Sequence, residues 1–329
     1  MRAPEFWTGR SAAARACAAI LSPLGALYGL SVRARRARAH PFRARARVVC
    51  IGNLTAGGTG KTPIAIALGH MLAARGKKIM FLTRGYGGRL SGPVTVDLGR
   101  HSAADTGDEA LLLAAHATSI VAKNRAEGAR LADKLGADII LMDDGFQNFQ
   151  LVKDLSFVVV DAAVGFGNGR LIPAGPLREP VAQGLSRADA AVLVGDGAVK
   201  LAPFAGAILP ARIVATAPDA LGGQSVVAFA GIGRPEKFFA MLREMGVVVA
   251  AAQAFPDHHR FSTLELAALK RMAQATGALL VTTEKDFVRL DPEARKNILP
   301  VPVHAVFTNP AVLAPLLDRV VEAGNVARA

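Results

Sequence analysis

Cysteine is nearly missing from this chain. Cys17 and Cys50 are too few for a disulfide framework and fit a reducing compartment, so the fold must rest on its core, with both thiols read as small buried hydrophobes. Aromatic residues are scarce as well, 5% against 51% hydrophobic overall. Small aliphatics therefore dominate the packing, and few rings are left on which nucleic-acid bases could stack. Acid is in short supply: 26 Asp and Glu stand against 39 Lys and Arg, a net +13. Such a balance suits nucleic acid, an anionic membrane surface or a phosphorylated substrate, and the position of the charge decides among them. The uncharged run 16–32 is shorter than the roughly 20 residues of a membrane span and is interrupted by Pro23, Gly25 and Gly29. No internal repeat is present, and the Ala- and Arg-rich start is the only biased tract.

What the N-terminus does contain is helical spacing of Ile20, Leu21, Leu24, Leu27 and Tyr28, with Arg10 and Arg15 before it and arginines 33, 35, 36, 38, 43, 45 and 47 after it. This predicts a helix lying in a membrane interface, its apolar face among acyl chains and its guanidinium groups on anionic headgroups. A secretory leader shares the charge-then-apolar layout, but the dense arginine block argues against it; a core helix of the catalytic domain is the other reading.

The chain is organised around residues 52–62, Gly-Asn-Leu-Thr-Ala-Gly-Gly-Thr-Gly-Lys-Thr, directly after the apolar run 48–51. A buried strand, a Gly-rich turn and Lys-Thr at a helix start form a P-loop: backbone N–H groups of Thr55, Ala56, Gly57, Gly58, Thr59 and Gly60 can wrap phosphate oxygens. Lys61 reaches the β/γ-phosphates and the Thr62 hydroxyl sits on Mg²⁺. An ordinary Gly-rich turn would not explain Lys-Thr. The general motif places Gly at position 55, where this chain has Thr55.

Downstream, strands and covering helices alternate. The strand 79–83 ends in Arg84 and a Gly-rich loop; ligand sites in open parallel sheets gather beyond the carboxyl ends of strands, so Arg84 is a candidate phosphate clamp facing the same crevice as Lys61. Asp108 and Glu109 open a helical run, a position where a carboxylate also serves as a cap. Four apolar residues, 139–142, lead into Asp143 and Asp144. This is the Walker-B layout, in which one of the two, left open here, meets Mg²⁺ opposite Thr62. Gln147 continues that loop. The Gly- and Pro-rich stretch 161–180 holds Arg178 and Glu179 between prolines, and irregular segments of this length are usually functional.

After a Pro- and Gly-containing passage, 203–223, a second α/β pattern begins. Its Gly231-Ile232-Gly233 lacks the third glycine of a dinucleotide fingerprint and reads as a tight strand-helix turn. The adjacent His258 and His259 have no further His or Cys at ligand spacing and do not make a metal site. The fold class is thus α/β: an N-terminal interfacial helix and basic segment (1–47), a P-loop NTPase-like parallel-sheet domain (48–215) and a smaller α/β domain (216–329) whose last helix can pack on the first.

In order, the stretches at 52–63, Thr-Arg-Gly-Tyr-Gly-Gly at 83–88, Gly-Asp-Glu at 107–109, Asp-Asp-Gly-Phe-Gln at 143–147, Pro-Ala-Gly-Pro-Leu-Arg-Glu-Pro at 173–180, Phe-Pro-Asp-His-His at 255–259 and Thr-Glu-Lys-Asp at 283–286 resemble the tetraacyldisaccharide 4′-kinases of lipid A biosynthesis. Thr55 fits that family's P-loop; Asn148, where the family would carry His, departs from it. The resemblance implies ATP- and Mg²⁺-dependent phosphorylation of the 4′-hydroxyl of a tetraacyldisaccharide 1-phosphate, giving lipid IVA, by a monomer on the cytoplasmic face of the inner membrane without nucleic acid. It implies Asp108 as the base, with His258 or its neighbour tuning it, and Lys61 activating the donor. Thr62 and Glu179, with Asp143 or Asp144, would hold the metal; Arg84, Arg178 and Gln147 would contact substrate. Two rivals remain at this point: a membrane-associated switch or partitioning ATPase, whose deviant loop would place Lys where this chain has Ala56, and a nucleic-acid-binding ATPase.

Overall fold

The computed structural model of the chain describes residues 4–326 except 10, 202, 217, 219, 220 and 222. The apolar runs become buried strands: β1 (Arg47–Gly52), β2 (Ile79–Thr83), β3 (Val94–Thr95), β4 (Ser119–Val121), β5 (Ile139–Asp143), β6 (Leu155–Asp161), β7 (Ala190–Val194) and β8 (Ala207–Ala215). A second sheet contains β9 (Ser225–Ala230), β10 (Val248–Ala254), β11 (Leu279–Thr283) and β12 (Ile298–Val301), and β13 (Val303–Phe307) returns to the first. The large sheet runs β13-β8-β7-β6-β1-β5-β2-β4-β3, parallel except for β3 and β13 at its edges; the small one runs β10-β9-β11-β12 and is parallel throughout.

Continuous rather than alternating hydrophobicity follows from cover on both faces. In β1, Val49 and Ile51 point to the face packed by Ile64, Leu68 and Leu72 of α2 (Lys61–Ala73), while Val48 and Cys50 point to the other, with Ile140, Met142, Phe146 and Leu177. Cys50 is buried, but Cys17 is exposed, against the expectation for both thiols. The remaining helices are α1 (Ala12–Ala37), α3 (Ala103–Thr106), α4 (Asp108–Ala114), α5 (Arg125–Lys134), α6 (Val181–Leu185), α7 (Pro235–Glu244), α8 (Thr263–Ala275), α9 (Glu284–Phe287) and α10 (Pro310–Val326). Leu313, Leu317 and Val320 of α10 join the α2 face of the large sheet. The chain beyond residue 302 is therefore built onto the large sheet.

Two features differ from the sequence reading. The passage 203–223 contains β8, nine residues long and inside the sheet. Pro210 within it costs no ladder bond to β13, because that pairing begins at Ala211, and Pro210 only accepts, from Thr308 N at 2.9 Å. The run 16–32, read as too short and too interrupted for a span, also lies within a longer helix: α1 continues through Pro23, Gly25 and Gly29 for 26 residues. It is long and apolar enough to cross a membrane by length and composition, and 22% of its apolar window is buried.

Gly52 ends β1 against the loop after β5. A Cβ there would lie 2.9 Å from Phe146 N, and backbone cannot yield as a side-chain tip can. Gly52→Ala is expected to destabilise the protein by about 1–3 kcal/mol, read as a lowered urea midpoint.

Candidate active site

Parallel register sets the site. Ile51 pairs with Asp143, so the carboxyl end of β5 opens beside the loop leaving β1. In that loop Gly57 (φ 118°) and Gly60 (φ 83°) take left-handed backbone. A Cβ on Gly57 or Gly58 would meet nothing within 4 Å, so the loop is an open cradle of backbone amides. Buried Asn53 ties it together, donating to Thr59 Oγ1 at 3.3 Å, while its own Oδ1 has no partner among the described residues.

Lys61 and Thr62 form the first turn of α2. The Thr62 hydroxyl donates to Asp143 Oδ2 at 3.1 Å, and Lys61 Nζ lies 3.6 Å from Asp144 Oδ1. The two carboxylates diverge electrostatically. Burial and then the Glu109 charge raise the Asp143 pKa, against Lys61 and the Thr62 hydrogen bond. Burial also pushes Asp144 up, but the charges of Lys61 and Arg178 outweigh it and hold Asp144 at about 2. Arg178 Nη1 donates to both Asp144 oxygens, at 2.9 and 3.1 Å. Gln147 Nε2 donates to Glu179 Oε1 at 3.0 Å and to Asn53 O at 2.8 Å, and Arg187 pairs with Glu179 at 2.8 Å. Thr62, Asp143, Asp144, Gln147 and Glu179 thus form a hard, oxygen-bearing set around the P-loop. Among the described residues no group of three His, Cys, Asp or Glu could hold an ion by itself. The donor set suits Mg²⁺, which takes one or two carboxylates and completes its shell with phosphate and water.

Asp108 begins α4 and is buried. Its Oδ1 accepts from Glu109 N at 2.9 Å; its Oδ2 accepts from Arg289 Nε at 2.7 Å and from Arg289 Nη2, and lies 3.1 Å from His258 Nδ1. Burial pushes this carboxyl up, but the His258 hydrogen bond and the Lys285 and Arg289 charges prevail and hold it well below the usual carboxylate range. Lys285 also pairs with Glu109 at 3.0 Å, and Arg289 with Asp286 at 2.6 Å. His259 turns away to Glu265 at 3.1 Å, so His258 is the histidine on Asp108. A Cβ on Gly233 would lie 3.6 Å from both Gly58 N and Asp257 Oδ2, so the loop that carries His258 and the P-loop face one crevice. Asp144 (φ 49°) and His258 (φ 58°), two of the three described non-glycine residues with left-handed backbone, both lie in it. Such strain concentrates at functional sites.

Arg84 is exposed at the carboxyl end of β2. Burial and then the Arg84 charge lower buried Arg125 to about 10. Sequence reading missed Arg289, Arg187 and the ion pairing of Lys285. For Arg289 the available signal was its place three residues after Asp286, past the polar end of β11.

Comparison with known proteins bears on this crevice. The family described as tetraacyldisaccharide-1-P 4′-kinase matches residues 17–322. The tetraacyldisaccharide 4′-kinase of Paramagnetospirillum magneticum is 50% identical over 97% of this chain and 99% of its own. That of Parvibaculum lavamentivorans is 51% identical over 97% and 98%. A solved structure of LpxK from Aquifex aeolicus in complex with ATP, 27% identical, superposes with a TM-score of 0.74 over 92% of this chain and 99% of that one. With half the residues shared along nearly the whole length, the chain belongs to the tetraacyldisaccharide 4′-kinase family.

Proposed function

We propose that the crevice between the P-loop and Asp108 transfers the γ-phosphoryl group of ATP to the 4′-hydroxyl of a tetraacyldisaccharide 1-phosphate, the reaction of this kinase family, giving lipid IVA. The observation that carries the reading is the meeting of Asp108 and His258, from opposite halves of the chain, at 3.1 Å, in a crevice faced by the P-loop that carries Lys61. The 4′-oxygen attacks phosphorus, the bond to the bridging oxygen breaks to leave ADP, and the hydroxyl proton passes to Asp108. Transfer of this kind asks mainly for positioning and neutralised charge. Lys61 supplies charge at the β/γ-phosphates, and the amides of 55–62 hold them. Thr62 and Glu179, with Asp143 or Asp144, would hold Mg²⁺, which when bound neutralises phosphate oxygens. Arg178 and Gln147, already joined to Asp144 and Glu179, orient the groups around it, and exposed Arg84 would contact an acceptor phosphate.

A second assignment of the base is favoured by Asp108 itself, whose two oxygens are both engaged and whose basicity is depressed. In it His258 takes the proton and Asp108 holds its Nδ1–H. Acylated acceptors lie in a bilayer, and α1 offers Ile20, Leu24, Leu27 and Leu30 exposed along it, with arginines at its C-terminal end. The helix fits the interface of an anionic membrane, the cytoplasmic face of the inner membrane, with its apolar face among the acyl chains.

Lys61→Ala is expected to abolish phosphate transfer to the acylated disaccharide in a thin-layer assay. Asp108→Ala should lower kcat by about 10²–10⁴; turnover within a few fold of wild type would remove Asp108 from the chemistry. His258→Ala should cost about tenfold if it tunes Asp108, and as much as Asp108→Ala if His258 is the base. The native Asp108 carboxyl titrates below its unfolded value, so its stabilisation is complete above the unfolded value near about pH 4 and is lost as pH falls through the native one. Asp108→Asn should accordingly flatten the loss of urea stability between about pH 5 and 3. Changing Ile20 and Leu27 together to Glu is expected to reduce partition into anionic vesicles at least about tenfold; unchanged sedimentation with vesicles places the anchor elsewhere.

A further inference from the structure

The stretch 167–177 takes no part in the transfer, yet it joins the N-terminal helix to the P-loop. On one side it is gripped by the N-terminal segment. A Cβ on Gly29 would lie 2.6 Å from Leu171 Cδ1, and one on Gly25 would lie 3.0 Å from Leu171 O. The two glycines, four residues apart, make a notch on one face of α1 that only bare backbone leaves open. Beside it Arg170 donates to the Ser22 hydroxyl, Trp7 Nε1 donates to Pro173 O at 3.0 Å, and Asn168 N donates to Trp7 O at 2.8 Å.

On the other side the same stretch is laced to the nucleotide loop. Leu177 N donates to Arg170 O at 3.0 Å and Ile172 N to Leu177 O at 2.9 Å, closing the stretch on itself around Leu171. Ala56 N donates to Pro176 O at 2.7 Å, Arg178 N to Leu54 O at 2.7 Å, and Thr55 bridges Leu177 in antiparallel fashion. Residues 54–56 are therefore held as a short extended edge. This accounts for a β-branched Thr55 where the general motif takes Gly.

We propose that Leu171 is a positioning residue for the nucleotide: seated in the Gly25–Gly29 notch, it sets the height of Pro176–Arg178 and, through them, of residues 54–56, so that ATP affinity depends on how α1 is docked. The proposal rests on the reading that 55–62 cradles the phosphates of ATP. The test measures ATP binding by calorimetry on the full-length protein in detergent, and KM and kcat with acceptor present. Leu171→Ala is expected to weaken ATP binding and raise KM for ATP about tenfold while kcat at saturating ATP falls less than about threefold. Gly29→Val, which drives a side chain into Leu171, should do the same. Gly29→Ala combined with Leu171→Val, which restores volume across the contact, should bring KM back to within about threefold of wild type. If Leu171→Ala does not melt cooperatively, Leu171→Val is measured in its place, with an expected rise of about threefold. Unchanged ATP affinity in the folded Leu171 and Gly29 variants overturns the proposal, as does a loss confined to kcat. Wild-type ATP binding by Lys61→Ala would instead overturn the nucleotide site on which the proposal stands.

Discussion

Ile51 and Asp143 are register partners in the parallel ladder between β1 and β5, and the crevice is assembled from the two loops that leave these strand ends. Side chains along a strand alternate faces, so a slip of one residue would turn Asp143 away from the Thr62 hydroxyl it accepts from. The register is protected because both strands are buried on both faces, with Val49, Ile51 and Leu141 in one core cluster and Val48, Cys50, Ile140 and Met142 in the other. A slip would disturb two cores at once. Gly52 then lets the Phe146 loop cross close over the end of β1, which brings Gln147 to Asn53 and to Glu179.

Charge, beside a small apolar contact of Val288 on the cluster of Ala110, Leu111 and Val121, joins the second half of the chain to the first at the crevice. Asp108 takes bonds from Arg289 and His258, and Lys285 reaches Glu109. Asp161 at the end of β6 takes Arg234, at the N-cap of α7, and Lys237 in its first turn, each at 2.6 Å. Such pairs, desolvated as they form, add little net stability, but losing one partner strands the other. They specify how the halves meet more than they hold them together. The meeting also fixes ionisation: Asp108, ringed by cations, stays deprotonated, whereas Asp143 is raised by burial and the Glu109 charge against the opposing charge of Lys61.

What was legible in the sequence was the part whose chemistry is local. A strand, a Gly-rich turn and Lys-Thr lie within one short stretch, and the four apolar residues before Asp143 announce a buried strand delivering a carboxylate. Partners distant in sequence were not legible. The spacing of Arg289 from Asp286 sets it past the polar end of β11 but does not name its partner Asp108, 181 residues away, and the choice of His258 over His259 depends on a left-handed backbone turn that composition does not signal. Strand β8 was hidden by Pro210, which reads as a breaker until the register of β13 shows that no N–H is wanted there. Cys17 was read by residue type, and it lies on a helix whose outward face no protein core covers.

That helix has two faces with different physical tasks. Ile20, Leu24, Leu27 and Leu30 are exposed, while Ala14, Ala18, Gly25, Gly29 and Val32 are buried. A helix that met lipid all round would have no need of a small-residue strip, and one buried in a core would not leave four large aliphatics uncovered. Glycines that weaken a helix by propensity are retained on the inner face, where the absence of a side chain is what admits Leu171. The two glycines that made 16–32 look poorly suited to a membrane are thus the ones that admit the stretch beside the P-loop. The large aliphatics of the other face, Ile20, Leu24, Leu27 and Leu30, stay uncovered by the rest of the described chain.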